Sequence, residues 1–437
     1  MDFFSYLQIV NENIGIYILI WIFSFITVFY VLKKQLFFII DPFLVPFFFF
    51  SIHLATVLFM YYNNLIENIS LYHFLATFSV FLIGLSINGS PKYRKNIDVK
   101  FNIQWKLMYY FIGFVYFFTT TYLIMKYGVP LFSGVSRIGF YAEEGVIKKI
   151  SDMGSIALIF FLAEKFTHKK EKLFDKVLLL FLSSNMLVSG SKSGILFMIT
   201  AFSVYFYYFT TRKITRNAVK YLVMALVGFL IIVFVISGFN LERTLTNILV
   251  AFANRSDMYV YFYGAGYENM LHYYQDYDIA DFIIQIFRDV FLNFRIISYE
   301  SNYAMESFSD KLYWYVYGSV YAGGPNNIYN LFSLAYLGFI GSLIYSFTLG
   351  YFISFIRNKC ILYFNLQNLY FRQIFFCIQI GIATSIFTIH SLLGSLFLNL
   401  VFLGILYFIS YIVCLDRANY KSNESDTAGQ MDNNHNI

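Results

Sequence analysis

The sequence predicts an all-α, polytopic membrane protein with about eleven membrane-spanning helices and one long loop on the far side of the membrane. Of its 437 residues, 59% are hydrophobic and 13% are charged, whereas a soluble domain carries about 25% charged residues. The apolar residues also come in runs of about 20, which matches a hydrocarbon core roughly 30 Å thick. Lipid offers the backbone no hydrogen-bond partners, so these runs must be helices.

Apolar runs and basic residues together predict the topology. The predicted spans are Ile14–Val31, Leu36–Tyr61, Leu71–Ile87, Trp105–Tyr127, Gly154–Phe166, Val177–Val188, Gly194–Thr211, Tyr221–Gly238, Ile328–Phe355, Ile374–Ile389 and Leu396–Cys414. Basic clusters follow every odd-numbered span, with members such as Lys33, Lys92, Lys169, Arg212, Arg357 and Arg417. Because cytoplasmic loops are rich in Lys and Arg, the N-terminus is predicted outside and the end of the chain inside.

This topology divides the chain into four parts. Residues 1–238 form a bundle of the first eight spans, and residues 239–327 form the long outer loop. Residues 328–414 hold the last three spans, and residues 415–437 a disordered cytoplasmic tail. Within the outer loop, the apolar stretch Ile279–Ile297 has the character of an interfacial amphipathic helix.

Cations are scarce on the predicted outer face and stand close to predicted membrane ends. They include Arg137, Lys192 and Arg255, and Lys192 lies in the tight turn Ser189-Gly-Ser-Lys-Ser-Gly194. Gly and Ser in such a turn leave backbone N–H groups facing an anion, beside a positive helix N-terminus. The three cations are therefore candidates to clamp a diphosphate. The alternative is that each reaches a lipid headgroup.

Few outer side chains offer acid–base or metal chemistry. His390 ends the tenth predicted span, where it is either a general base or a helix cap. The histidines show no metal-ligand spacing. Asp276-Tyr-Asp278 is a lone D-x-D in an acidic loop, a weak signal, so we predict no metal site.

Aromatic side chains are dense in the long loop, and Tyr263 belongs to one group of tyrosines there. Flat amphipathic rings stack against the C–H faces of sugars while a hydroxyl forms hydrogen bonds. Anchoring at the membrane interface explains the same composition equally well.

Several motifs resemble those of the O-antigen polymerases, the Wzy-type polymerases of oligosaccharide repeat units. They are Ser189-Gly-Ser-Lys-Ser-Gly194 at an outer turn, and Gly323-Gly-Pro-Asn-Asn-Ile-Tyr-Asn330 leading into Leu331-Phe-Ser-Leu-Ala-Tyr-Leu-Gly-Phe-Ile-Gly341. The large outer loop before the last three spans is similar too. The related O-antigen ligases often carry Arg where Lys192 stands and His-Asn where Pro325-Asn326-Asn327 stands. The missing His argues against a ligase.

The resemblance implies a GT-C-like glycosyltransferase of the bacterial inner membrane, with its site open to the periplasm. Such an enzyme transfers a growing glycan from undecaprenyl diphosphate onto a new lipid-linked repeat unit. Fixed cations then neutralise the diphosphate, so neither cofactor nor metal is expected. The implied catalytic residues are Arg137, Lys192 and Arg255, with Glu143, Glu144 or His390 as base; the implied substrate contacts are Asn326, Asn327, Tyr263 and Arg288.

The rival interpretations are an O-antigen ligase and a flippase or transporter of lipid-linked oligosaccharides. Transporters usually show internal repeats and short outer loops, and we find no repeat here. The expected partners are an undecaprenyl-diphosphate-linked oligosaccharide, membrane lipids and a chain-length regulator protein. We expect no nucleic acid partner.

Overall fold

The structure is a computed structural model. It describes residues 2–33, 41–89, 102–129, 145–188, 192–210, 255–293, 307–318, 328–364, 366–385 and 396–413, with isolated residues between them. Helices make up nearly all of these segments, and the described residues contain no β-strand. This confirms the predicted all-α class.

The described segments contain the following fifteen α-helices, numbered in chain order. They are α1 (Phe3–Glu12), α2 (Ile14–Leu32), α3 (Leu44–Tyr62), α4 (Asn68–Ser86), α5 (Ile103–Tyr127), α6 (Gly145–Thr167), α7 (Leu173–Val188), α8 (Lys192–Phe209), α9 (Asp257–Gly264), α10 (Tyr267–Tyr273), α11 (Ile279–Asn293), α12 (Phe308–Tyr317), α13 (Tyr329–Asn358), α14 (Leu369–Ser385) and α15 (Leu396–Val413). A short 3₁₀ turn, Cys360–Leu362, follows α13.

Six helices of the described chain are long and apolar enough to cross a membrane: α2, α3, α4, α5, α13 and α15. They coincide with predicted spans to within a few residues at most ends. Their exposed surfaces are apolar too, as at Ile26, Ile83 and Ile405, each more than half exposed. The chain is therefore a helical membrane protein. The eighth predicted span, Tyr221–Gly238, lies outside the described residues.

The described helices build two hydrophobic cores. The first joins α1 to α4 with α9 to α13, so the helices of the long loop share a core with four spans, α2, α3, α4 and α13. The second joins α5 to α8 with α14 and α15. Two hydrogen bonds connect the cores: Gln379 Nε2 donates to Ile356 O at 3.0 Å, and Tyr208 Oη donates to Arg357 O at 3.2 Å. We call the end where α3 ends and α4 begins the loop face, and the other end the opposite face.

Glycines let α4 and α13 pack closely. A Cβ atom at Gly84 would meet the backbone of Phe347 and Tyr351, and one at Gly350 would meet the carbonyl of Phe81. Small residues at a crossing allow helix backbones to approach, which is the usual basis of helix association in lipid. These two helices make the most extensive contact between elements of the described chain.

The helix α13 is broken at Gly338, where φ is +66° and ψ is −173°. Before the break, Asn330 bonds Thr77 at the middle of α4. After it, Ser342 bonds His73 near the loop face, and Gly350 lies against Phe81 farther along α4. The chain therefore rises toward the loop face as Tyr329–Leu337 and returns as Phe339–Asn358.

The break explains the length of this element. As one straight helix, the apolar stretch Tyr329–Leu362 of 34 residues would extend about 50 Å, well beyond a hydrocarbon core of roughly 30 Å. The segment Phe339–Asn358 alone is about 30 Å long, enough for one span. Tyr329–Leu337 is thus a half-helix whose N-terminus lies at the middle of the bundle.

Buried ion pairs hold the opposite face together. Arg357 pairs with Asp41, Arg372 Nε lies 2.5 Å from Glu164 Oε1, and Lys165 Nζ lies 2.6 Å from Asp175 Oδ1. Each pair joins different helices or loops, and all six side chains are at least nine-tenths buried. Three cations that belong to the predicted cytoplasmic clusters are therefore neutralised inside the protein.

Candidate functional site

The polar centre of the first core is built where α9 enters between α3 and α4. His53, the central residue of α3, places Nε2 at 2.9 Å from the backbone oxygen of Arg255. Thr56 Oγ1 lies 2.7 Å from Ser256 Oγ, one turn closer to the loop face. Because each polar group at this depth must find a partner within the protein, these contacts fix the start of α9 about halfway along α3.

His73 of α4 connects α9 to α13 through both ring nitrogens. Its Nδ1 lies 2.7 Å from Tyr263 Oη, and its Nε2 lies 2.9 Å from Ser342 Oγ. Ser342 Oγ donates its own proton to the carbonyl oxygen of Phe339 at 2.6 Å. Ser342 must therefore accept from Nε2–H, which leaves Nδ1 to accept from the Tyr263 hydroxyl. The chain of hydrogen bonds ends at the first carbonyl after the Gly338 break.

Asn330 fixes the start of the half-helix in the same way. Its Oδ1 accepts from Tyr259 Oη at 2.9 Å, and its Nδ2 donates to Thr77 Oγ1 at 3.2 Å. Thr77 is the central residue of α4 and donates in turn to the His73 carbonyl oxygen at 2.8 Å. Asn330 is almost fully buried. One side-chain hydrogen bond thus joins the first turns of α9 and α13.

The electrostatic consequence is a positive region at the middle of the spans. Each helix N-terminus carries about half a positive charge, because its first N–H groups have no partner within the helix. The first turns of α9 and α13 both begin beside the central residues His53 and Thr77. The Arg255 guanidinium adds a full positive charge immediately before α9, and the Asp257 carboxylate in the first turn of α9 offsets part of it. Half-helices with N-termini at this depth are a common way to bind an anion within a membrane.

Arg255 is the residue of this region that carries a full positive charge. Its side chain is half-buried, and its guanidinium carbon lies 5.4 Å from the centre of the Phe49 ring. Within the described part of the chain it forms no ion pair. The nearby Asp257 carboxylate accepts the backbone N–H of Met258 at 2.8 Å.

Tyr261 of α9 and Tyr267 of α10 are neutral hydrogen-bond donors. Burial raises the pKa of Tyr267 to about 12, and the neighbouring Glu268 adds to the effect. Burial also raises the pKa of Tyr261, whose hydroxyl lies 3.3 Å from Tyr317 Oη. Both phenols keep their protons at physiological pH, so each remains a neutral hydrogen-bond donor.

The structure places only some of the predicted site residues. Tyr263, predicted as a substrate contact, is buried and its hydroxyl is hydrogen-bonded to His73. It therefore holds His73 in place inside the protein. Arg288 lies on α11 with a half-buried side chain. Lys192 begins α8, although its side chain is outside the described part of the chain. The remaining predicted residues lie outside the described residues: Arg137, Glu143, Glu144, Asn326, Asn327 and His390.

One carboxylate of the lone D-x-D, that of Asp278, has a structural use. Asp278 Oδ1 accepts the backbone N–H groups of Ala280 and Asp281 at 2.8 and 3.0 Å, and Asp281 Oδ2 accepts the N–H of Asp278 at 3.1 Å. This reciprocal pattern is a capping box that starts α11. Among the described residues, no group of three or more His, Cys, Asp or Glu side chains is arranged to hold a metal ion. Metal independence stays a prediction.

Two histidines at the centre of this site were not predicted as site residues. His53 and His73 both lie inside apolar runs, and an ionisable side chain within a span is itself a signal of function. That signal identifies the residues, but only the folded chain brings them to Arg255 and Tyr263, which are 202 and 190 residues away in sequence.

Comparisons with known proteins identify no relative of this chain. No family model matches the chain, and no curated protein or solved structure matches it significantly.

Proposed function

We propose that the protein is a membrane glycosyltransferase that polymerises lipid-linked oligosaccharide repeat units, as its resemblance to the O-antigen polymerases implies. It transfers a growing glycan from undecaprenyl diphosphate onto a new lipid-linked unit at the periplasmic face of the bacterial inner membrane. The observation that carries this proposal is the meeting of two helix N-termini with Arg255 at the middle of the spans. Such a site suits the diphosphate of a lipid-linked donor.

The proposed chemistry is a displacement at the sugar carbon that carries the diphosphate. The acceptor hydroxyl attacks that carbon, a base takes its proton, and the diphosphate leaves with the bonding electrons. Arg255 and the helix N-termini stabilise the negative charge of the leaving group. Arg137 and Lys192 are proposed to complete the cation clamp, with Glu143, Glu144 or His390 as base and Asn326, Asn327 and Arg288 as substrate contacts.

The proposal includes about eleven spans in a GT-C-like arrangement, with the N-terminus and residues 239–327 in the periplasm. Reporter fusions test this directly. Fusions after Ser151 and after Asp278 should report the periplasm, and a fusion after Ala218 the cytoplasm. A cytoplasmic signal after Asp278 contradicts the topology.

Activity is tested with the purified protein in lipid nanodiscs and an undecaprenyl-diphosphate-linked repeat unit. Arg255→Gln should slow polymerisation about ten- to hundredfold, because it removes a charge-assisted contact of roughly 1.5–3 kcal/mol. Arg255→Lys should lose less, since it keeps the charge. Lys359→Gln removes an exposed cation at the opposite face and serves as the control. Full activity of a folded Arg255→Gln variant would reject the assignment.

A transporter of lipid-linked oligosaccharides is the second candidate, and the break of α13 at Gly338 favours it. Discontinuous helices with their ends near the middle of the membrane are typical of secondary transporters. Cells without a polymerase still export and attach single repeat units, whereas cells without a flippase export none. Loss of all exported units in a deletion strain would support the transporter.

A further inference from the structure

The amphipathic helix α11 leaves an apolar face uncovered by the described chain. Ile279, Ile283 and Phe287, spaced four residues apart, are 66%, 48% and 39% exposed. Their neighbour Phe282 is buried, with its ring centre 5.3 Å from that of Tyr345 and 6.2 Å from that of Tyr336. The helix thus packs on α13 through Phe282 and presents a separate apolar stripe.

The two flanks of α11 differ in polarity. Successive residues are about 100° apart around a helix. Ile283 and Phe287 therefore point to one side of Phe282, whereas Asp281 and Arg288 point to the other. This helix packs on its neighbour and has one apolar and one charged flank. Such a pattern is typical of a helix that contacts lipid on the first flank and water on the second.

The apolar flank continues a surface that already faces lipid. The second segment of α13 carries an exposed apolar stripe of its own, formed by Ile340, Ile344, Phe347 and Tyr351. Ile344 directly precedes Tyr345, whose ring contacts Phe282. An exposed apolar stripe on a membrane-spanning helix such as α13 faces the acyl chains of the lipid. Because the stripe of α11 lies next to it, the stripe of α11 borders the lipid as well.

We propose that α11 lies in the membrane interface, with Ile279, Ile283 and Phe287 immersed among the acyl chains of the leaflet at the loop face. Its charged flank faces water. The long loop is then attached to the bilayer as well as to the bundle. Because Phe282 contacts residues on both sides of Gly338, the immersed helix also supports the break in α13. This inference does not depend on the proposed enzymatic function.

Spin labels on the two flanks test the proposal. The native cysteines Cys360, Cys377 and Cys414 are replaced by alanine, and single cysteines are introduced as Ile283→Cys, Phe287→Cys, Asp281→Cys and Arg288→Cys. The labelled proteins are placed in vesicles of phosphatidylethanolamine and phosphatidylglycerol. Oxygen should relax the labels at positions 283 and 287 more than a water-soluble nickel chelate does, with the order reversed at 281 and 288.

Two outcomes overturn the proposal. Labels at 283 and 287 that respond mainly to the nickel chelate would place the stripe in water. Labels that respond to neither reagent would show that the chain itself covers the stripe. A second measurement avoids the cysteine replacements: brominated lipid should quench Ile283→Trp above the background of the three native tryptophans, and Asp281→Trp should show no such gain.

Discussion

His73 Nε2 donates a hydrogen bond of 2.9 Å to Ser342 Oγ, across 269 residues of sequence. Ser342 lies four residues after the break of α13, and its hydroxyl in turn occupies the carbonyl of Phe339. The break exposes backbone polar groups that an unbroken helix would satisfy, and lipid offers them no partner. The histidine of α4 therefore supports a conformation that α13 cannot hold alone.

Removing either end of this hydrogen-bond chain should destabilise the protein. Tyr263→Phe leaves His73 Nδ1 without its donor, and Ser342→Ala leaves Nε2–H without its acceptor. A buried polar group without a partner costs about 1–3 kcal/mol. The loss is measured as the free energy of unfolding in mixed micelles. Tyr351→Phe, an exposed tyrosine on α13, is the control, and equal effects of Tyr263→Phe and Tyr351→Phe would refute the chain.

Gly338→Ala should also lower stability. With φ at +66° and ψ at −173°, Gly338 occupies a region that essentially only glycine adopts, at a cost of order 1–3 kcal/mol for other residues. Apart from its own chain neighbours, no atom of the described residues lies within 4 Å of a Cβ built there, so the cost comes from the backbone and not from a clash. Gly15→Ala in α2 also meets open space but in an ordinary conformation, and we expect it to be neutral or slightly stabilising. A neutral Gly338→Ala would contradict the break.

The crossing of α4 and α13 offers a different test of glycine. Gly350→Ala would place a methyl group against the Phe81 carbonyl oxygen, which is backbone and cannot turn away. The helices must separate, and overpacking of this kind typically costs about 1–3 kcal/mol. A methyl group added at Gly404 would lie 3.8 Å from its nearest neighbour, the Tyr370 hydroxyl, which is an ordinary contact. Thermal unfolding should therefore shift down for Gly350→Ala and stay near the wild-type value for Gly404→Ala.

Sequence patterns predicted the spans well and the irregular backbone poorly. The first span was predicted as Ile14–Val31 and α2 is Ile14–Leu32, because a long apolar run has few alternatives in lipid. The second span was expected from Leu36, yet α3 begins at Leu44. The reason is local: the Asp41 side chain accepts the N–H of Phe43 at 2.9 Å and pairs with Arg357, which sets the start of the helix.

The break in α13 and the polar centre could not be predicted in this way. Mean hydropathy does not register a backbone reversal, so Ile328–Phe355 was expected to be one span. The motif that ends at Gly341 contains Gly338, but the spacing of residues in a motif does not give backbone dihedral angles. Arg255 was predicted as a cation of the site, whereas its contact with His53 depends on how α9 packs against α3.

The buried pair of Asp41 and Arg357 gives the last prediction. Arg357 is 2% exposed, stacks 4.2 Å from the Phe43 ring centre and accepts a hydrogen bond from Tyr208 on its carbonyl. Replacing one partner, as in Asp41→Asn or Arg357→Met, leaves a buried charge uncompensated or a partner unpaired, which costs about 3–5 kcal/mol. Unfolding of the single variants should therefore occur at markedly lower denaturant concentrations.

The double variant distinguishes the interaction between Asp41 and Arg357 from the interactions that each side chain makes with other residues. Asp41→Asn with Arg357→Met has no buried charge left to compensate, so it should be more stable than the sum of the single losses predicts. The exposed pair of Lys148 and Asp152 on α6 is the matched control, because a surface pair one turn apart contributes only about 0.3–0.5 kcal/mol. Strict additivity of the Asp41 and Arg357 losses would mean that the two charges do not stabilise each other. Arg357 would then be held in place by its packing against Phe43 and its hydrogen bond with Tyr208 rather than by its charge.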